Sequence, residues 1–134
     1  MTRQKNARTG FTLIELVVVI IIIAILAAIA VPKFIDRASE ARDAATRQSL
    51  ATLRSSIELY RADNAVYPAT LATDIATYLK GPFPEAKIGG TESATVNATS
   101  SDPITATDIV TGGGWLYNAT TGEIRINHAT GITY

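Results

Sequence analysis

Apolar positions crowd the front of this chain: all 21 residues from Phe11 to Val31 are apolar except Thr12 and Glu15. At 1.5 Å of rise per residue, a helix of that length covers roughly 30 Å, the thickness of a bilayer's hydrocarbon layer. The pattern predicts a membrane-spanning helix over 11–31. From Lys33 to Asp63 the chain has neither Gly nor Pro and is rich in Ala, Arg, Leu and Glu, so the helix is expected to continue over 32–64. There the pattern changes. Leu50, Leu53, Ile57 and Tyr60 recur at helical spacing and form one apolar stripe for burial in a head. Arg47, Arg54, Glu58 and Arg61 fall largely off it, and Asp43 precedes Arg47 by the four residues that suit an ion pair.

Pro32 lacks a backbone N–H and crowds the preceding turn, which predicts a kink in one long helix of roughly 80 Å. The other reading of Pro32 ends one helix and starts a second just after it. Beyond Tyr67 and Pro68, the residues Leu71, Ile75, Tyr78 and Leu79 repeat at helix-like intervals and stop at Gly81 and Pro82, which predicts a short second helix. Residues 89–113 are mostly Gly, Thr, Ser and Ala and read as an exposed loop, with a short strand near Ile109 and Val110. Trp115–Asn118 and Glu123–Asn127 read as two strands of a hairpin. The expected fold class is α+β: a long N-terminal transmembrane and then amphipathic helix packed on a small antiparallel sheet, with the head over 65–134.

A chain of 134 residues supports one small domain and excludes a multidomain enzyme. Its formal charge is zero, yet Arg3, Lys5 and Arg8 stand together in residues 1–10 without an acidic partner. Without them, nine basic face twelve acidic side chains. This remainder lacks the basic surplus of a nucleic-acid binder. Basic residues before the span place the N-terminus in the cytoplasm and the head outside. No cysteine is present, so disulfides, thiolate catalysis and zinc-cysteine sites are excluded.

The same front end also has features of a secretory signal peptide cut after Ala30. Two features oppose that reading. The apolar run exceeds the usual ~7–15 residues, and Glu15 lies inside its start, where an ionised carboxylate costs on the order of 3 kcal/mol. Glu15 has two readings from the residues alone: an ion-pair partner for an α-amino group freed by cleavage between Gly10 and Phe11, or a carboxylate tolerated near the interface.

Gly10, Phe11, Thr12, Leu13, Ile14 and Glu15, followed by the long apolar run, resemble the leader and cleavage region of type IV pilins and type II secretion pseudopilins. The resemblance implies that residues 1–10 are a leader removed by prepilin peptidase after Gly10, and that Phe11 is N-methylated. It assigns Glu15 to subunit docking with the amine of Phe11, and Pro32 to the position where members carry a helix-kinking proline. Tyr67 and Pro68 resemble the family's Tyr-Pro after the long helix; Gly114–Tyr117 and Gly122–Ile124 resemble a terminal hairpin. The implied protein is a filament subunit in the bacterial inner membrane that assembles with copies of itself, other pilins or pseudopilins and an assembly platform, and is surrounded by lipid before assembly. Surface pilus and secretion pseudopilus share these motifs. The alternative is a membrane-anchored periplasmic binding module that never polymerises; a secreted domain released after Ala30 is the third reading.

The chemical inventory adds little. His128, the single histidine, has neither a triad pattern nor a ligand cluster around it. Gly112, Gly113 and Gly114 lack the lysine and hydroxyl of a phosphate loop and serve to bend the chain. Asp102 and Asp108 bear oxygens suited to calcium, but their spacing matches no ligand pattern, including that of the major secretion pseudopilin, so they read as solvated loop residues. Asn97 and Asn118 begin N-glycosylation tripeptides, a pattern frequent by chance. No enzyme, cofactor or metal is expected.

Overall fold

The structure is a computed structural model that describes residues 10–134; Arg3, Lys5 and Arg8, on which the expected leader rests, lie outside the described residues. Helix α1 runs from Leu13 to Asn64, with Pro32 inside it. The chain divides into two compact units, one ending at Arg37 and the other spanning Ala38–Tyr134. In the first, the apolar side chains from Phe11 to Ile35 are exposed except Val17 and Ala30, which are partly buried. By length and composition, α1 is able to cross a membrane.

In the second unit, α1 buries Thr46, Leu50, Leu53, Ser56 and Ile57. The predicted stripe is therefore the core-facing one, with Tyr60 packed beside it, and Thr46 extends it towards the N-terminus. Thr46 also joins helix to sheet: its Oγ1 donates to Arg42 O at 2.9 Å and accepts from Lys87 N at 2.8 Å. The helix stops where Ala65 turns into the left-handed region at φ 61°, with its N–H on Arg61 O at 2.8 Å.

The expected second helix is shorter than its apolar spacing suggested. Helix α2 covers only Leu71–Asp74, and a 3₁₀ turn follows over Ala76–Tyr78. Thr73, Ile75 and Thr77 are β-branched, and a segment this short gains little from helix cooperativity. Leu71 and Ile75 still reach the core.

Two small sheets complete the head. Strands β1 (Ala86–Ile88) and β2 (Thr91–Ser93) form an antiparallel hairpin across Gly89 and Gly90, both at positive φ, as a two-residue primed turn requires. Strands β3 (Val96–Ala98), β4 (Trp115–Tyr117) and β5 (Ile124–Ile126) form the second sheet in that order. The β4–β5 hairpin is antiparallel, as expected, with Trp115 opposite Ile126 and Tyr117 opposite Ile124. However, β3 pairs with β4 in parallel, so the sheet is mixed rather than wholly antiparallel. The crossover between them has the length that parallel neighbours need.

That crossover corrects two sequence expectations. No strand forms at Ile109 and Val110; the strands within 89–113 are β2 and β3, and the regular element in the crossover is a 3₁₀ turn at Ala106–Asp108. Nor is the crossover simply an exposed loop. Trp115, Tyr117, Ile124 and Ile126 face the α1 stripe, together with Leu71, Ile75, Ala86 and Ile88. The alternate residue Leu116 packs on the opposite face against Ile104 and Ile132, with Ile109 beside them. The crossover thus covers the back of the sheet, and β4 is buried at all three positions.

Three arginines one heptad apart on α1 reach over the head. The Arg47 guanidinium lies 4.4 Å from the Tyr134 ring centroid, in place of the predicted solvent-facing pair with Asp43 as its main described contact. Arg54 Nη2 donates to Tyr134 O at 2.6 Å and Ile124 O at 3.2 Å. Arg61 stacks 4.6 Å from the Tyr67 centroid and donates to its hydroxyl at 2.7 Å.

Candidate functional site

The sequence-predicted residues Gly10, Phe11 and Glu15 stand at the start of α1. Gly10 and Phe11 precede the helix and are exposed. Thr12 stands directly before Leu13, in the N-cap position. Thr12 N donates to Glu15 Oε2 at 2.8 Å, and Glu15 N donates to Thr12 Oγ1 at 3.3 Å. These reciprocal bonds form a capping box, which satisfies two backbone donors that an α-helix otherwise leaves without partners. A third bond, from Thr12 Oγ1 to Glu15 Oε2 at 2.6 Å, completes the pairing.

Thr12 is therefore a site residue that the sequence reading did not single out. Its signal was present: Thr, two apolar residues and Glu at the head of an apolar run are the capping-box pattern. The carboxylate has a local partner before any second subunit approaches, which reduces the penalty for placing it among apolar side chains. The box uses Oε2; among the described residues, Oε1 accepts no hydrogen bond.

Downstream of the cap, Leu13, Ile14, Leu16 and all of the run through Val31 but Val17 and Ala30 are exposed, on every side of the helix. A helix apolar on every side has no solvated face to present to water and needs lipid or other protein around it. Helical backbone continues through Pro32.

The remaining candidates are spread over the head and do not converge. The His128 ring is half-buried, with Nδ1 2.8 Å from Thr130 Oγ1. It packs over the β1–β2 turn so closely that a Cβ on Gly89 would lie 2.2 Å from its Nε2. Asp102 is exposed, whereas Asp108 is not the solvated residue expected. It accepts bonds from Ser101 Oγ, Thr99 Oγ1, Thr105 N and Thr105 Oγ1. The Ser101 hydroxyl, then the Thr105 N–H, hold its carboxyl below the usual range.

Both glycosylation-type asparagines are engaged inside the fold. Asn97 Nδ2 donates to Gly113 O and Trp115 O, both at 3.3 Å. The Asn118 amide is buried, donating to Ser101 O at 2.8 Å and accepting from Thr120 N at 2.8 Å. Burial pushes the Tyr117 hydroxyl well above the ordinary tyrosine range while it donates to Pro68 O at 2.9 Å. A cleft of about 370 Å³ lies between α1 and residues 82–87, lined by Ala45, Ser49, Pro82 and Phe83 among others. Its lining also holds Glu85 and Lys87, which pair with each other at 3.4 Å.

The prokaryotic N-terminal methylation motif matches residues 5–31. The chain is also similar to type II secretion system core protein G of several bacteria. With that of Pseudomonas aeruginosa it is 36% identical over 67 residues, 50% of this chain and 47% of that protein. With the Vibrio cholerae protein it is 34% identical over 68 residues, 51% of this chain and 47% of that one. With the Aeromonas hydrophila protein it is 36% identical over 67 residues, again 50% and 47%. The chain thus spans about half the length of the curated relatives it matches. No solved structure matches.

Proposed function

We propose, since this chain belongs to the type IV pilin and type II secretion pseudopilin family, that it is a structural subunit of a type II secretion pseudopilus. The observation that carries this reading is the pairing of a helix apolar on all sides with one capped carboxylate, Glu15, five residues past Gly10. Such a helix is stable in lipid and then, in a filament, among identical helices. The names of the relatives favour a pseudopilus over a surface pilus.

In this reading residues 1–10 are a basic leader, removed after Gly10 by prepilin peptidase, and Phe11 becomes the N-methylated first residue. The subunit sits in the bacterial inner membrane with its N-terminus cytoplasmic and its head outside, spanning with residues 11–31. An assembly platform then extracts it into a filament of copies and other pseudopilins. Pro32 supplies local compliance in α1. Glu15 remains capped by Thr12 through Oε2, and its Oε1 accepts from the Phe11 amine of a neighbouring subunit. This contact sets register, because lateral slip strands both charges in an apolar core, where an unpaired charge is strongly disfavoured.

Intact mass and N-terminal sequencing of the chain recovered from membranes of a host with prepilin peptidase test this directly. A start at methylated Phe11 supports it. A start at Val31 indicates a secreted domain, and an uncut chain indicates a static membrane anchor.

A further inference from the structure

The crossover from Thr99 to Gly113 lacks regular secondary structure over most of its length, yet its Ile104 and Ile109 pack with Ile132 over Leu116 on the back of the β3–β4–β5 sheet. Such a segment needs something to hold it. The family resemblance raises calcium as one candidate, and the carboxylates Asp102 and Asp108 are the places to look. Calcium takes roughly six to eight oxygen ligands at about 2.3–2.6 Å, with lone pairs turned inward. The structure has the opposite polarity around Asp108: protons point at the carboxylate.

Oδ1 accepts from the hydroxyls of Ser101 and Thr99, the latter at 3.3 Å. Oδ2 accepts from Thr105 N at 2.7 Å and Thr105 Oγ1 at 3.1 Å. A backbone N–H cannot ligate a cation. The hydroxyls would also have to turn their protons away, leaving an open clasp. Asp102 is exposed and takes no part. The nearby Glu123 is already engaged: Oε2 accepts from Ile104 N at 2.9 Å and Oε1 from Arg125 Nε at 2.8 Å. Asn118 secures the start of the segment through Ser101 O, and Asn127 secures its end through Val110 and Gly113.

We infer that the 99–113 crossover is locked without a divalent cation, by an Asp108-centred clasp of Ser101, Thr99 and Thr105 in the place where a metal would otherwise organise the segment. The clasp takes the organising place that calcium would take: one carboxylate gathers donors from three positions within nine residues of it. The inference concerns the head alone and holds whether the filament is a pilus or a pseudopilus.

The test is thermal unfolding of the full chain in detergent, followed by the fluorescence of buried Trp115, in excess EGTA and again in millimolar calcium. A cation at a hundred times its dissociation constant would raise the midpoint by roughly 10–20 °C for a head of this size. The expected result is the same midpoint in both conditions. Asp108→Ala should then lower it by several degrees, equally in each. If that variant fails to fold, Ser101→Ala serves instead, with a smaller equal drop expected. Two results overturn the inference: a calcium-dependent rise in the midpoint of the unaltered chain, or an Asp108→Ala or Ser101→Ala protein that melts like it.

Discussion

Asn127 holds Val110 by both ends of its amide: Oδ1 accepts from Val110 N and Nδ2 donates to Val110 O, each at 2.9 Å. The side chain imitates a strand's backbone, and the same Nδ2 also donates to Gly113 O at 2.8 Å. Because Asn127 is buried, its loss takes the protein partner from the backbone groups of Val110 and Gly113. Asn127→Ala is expected to lower the unfolding free energy by about 2–3 kcal/mol, measured by urea titration with Trp115 fluorescence as the signal. A loss below half a kcal/mol would mean that water replaces the amide.

The end of α1 offers a change in the other direction. Ala65 sits at φ 61°, a conformation that disfavours any residue with a Cβ. Ala65→Gly removes that penalty while slightly loosening the unfolded chain, for an expected net gain of about 0.5–1 kcal/mol. The same urea titration reads it; a destabilised variant would show that the strain is absorbed elsewhere.

Substitutions at Glu15 separate its two roles. Glu15→Gln retains an oxygen to accept from Thr12 N and so preserves the capping box while removing the charge. Glu15→Ala removes both. If pairing with the Phe11 amine drives docking, both variants insert normally and both lose at least about tenfold in filament yield, the scale of a lost charged contact. Filament recovery by shearing, beside membrane fractionation, measures the two quantities. Wild-type yield from Glu15→Gln would leave capping as the residue's main contribution.

Asp108 and Tyr117 act at opposite ends of the pH scale. Asp108 has a folded pKa below its unfolded value, so its contribution is present above the ordinary carboxylate range. That contribution is lost as pH falls through the folded value, below about pH 4. Tyr117 has a raised folded pKa, so its contribution is complete below about pH 10 and is lost as pH climbs towards the folded value. Thermal midpoints across pH 3–11 should fall at both ends. Asp108→Asn should flatten only the acid limb and Tyr117→Phe only the alkaline one.

Much of this architecture was legible because burial leaves periodic traces. Leu50, Leu53 and Ile57 announced the core face of α1, and the apolar run Trp115–Tyr117 beyond three glycines announced β4. Strand β3 left no such trace: Val96, Asn97 and Ala98 form a half-exposed edge whose parallel partner lies a crossover away. The hairpin at Gly89–Gly90 carried a readable turn signal, but its flanking residues, Lys87 and Glu92 among them, dilute the strand pattern. The polar contacts of Asn118 with Ser101 and of Asn127 with Val110 and Gly113 were beyond sequence reasoning, because each joins groups whose proximity only the finished fold creates, whereas the Thr105–Asp108 pair is a local capping box. At the helix start the reverse held. Thr12 and Glu15 are three residues apart, so their bond was local and readable.

Arg47, Arg54 and Arg61 touch the head at points about 10 Å apart along α1, one heptad of rise each. A pull along the helix axis therefore loads all three contacts, and the core stripe beneath them, at the same time. Failure requires them to shear together; a peeling force would break them one after another. A head fastened in this way is suited to a tether that transmits tension, because its resistance is greatest along the line of the helix.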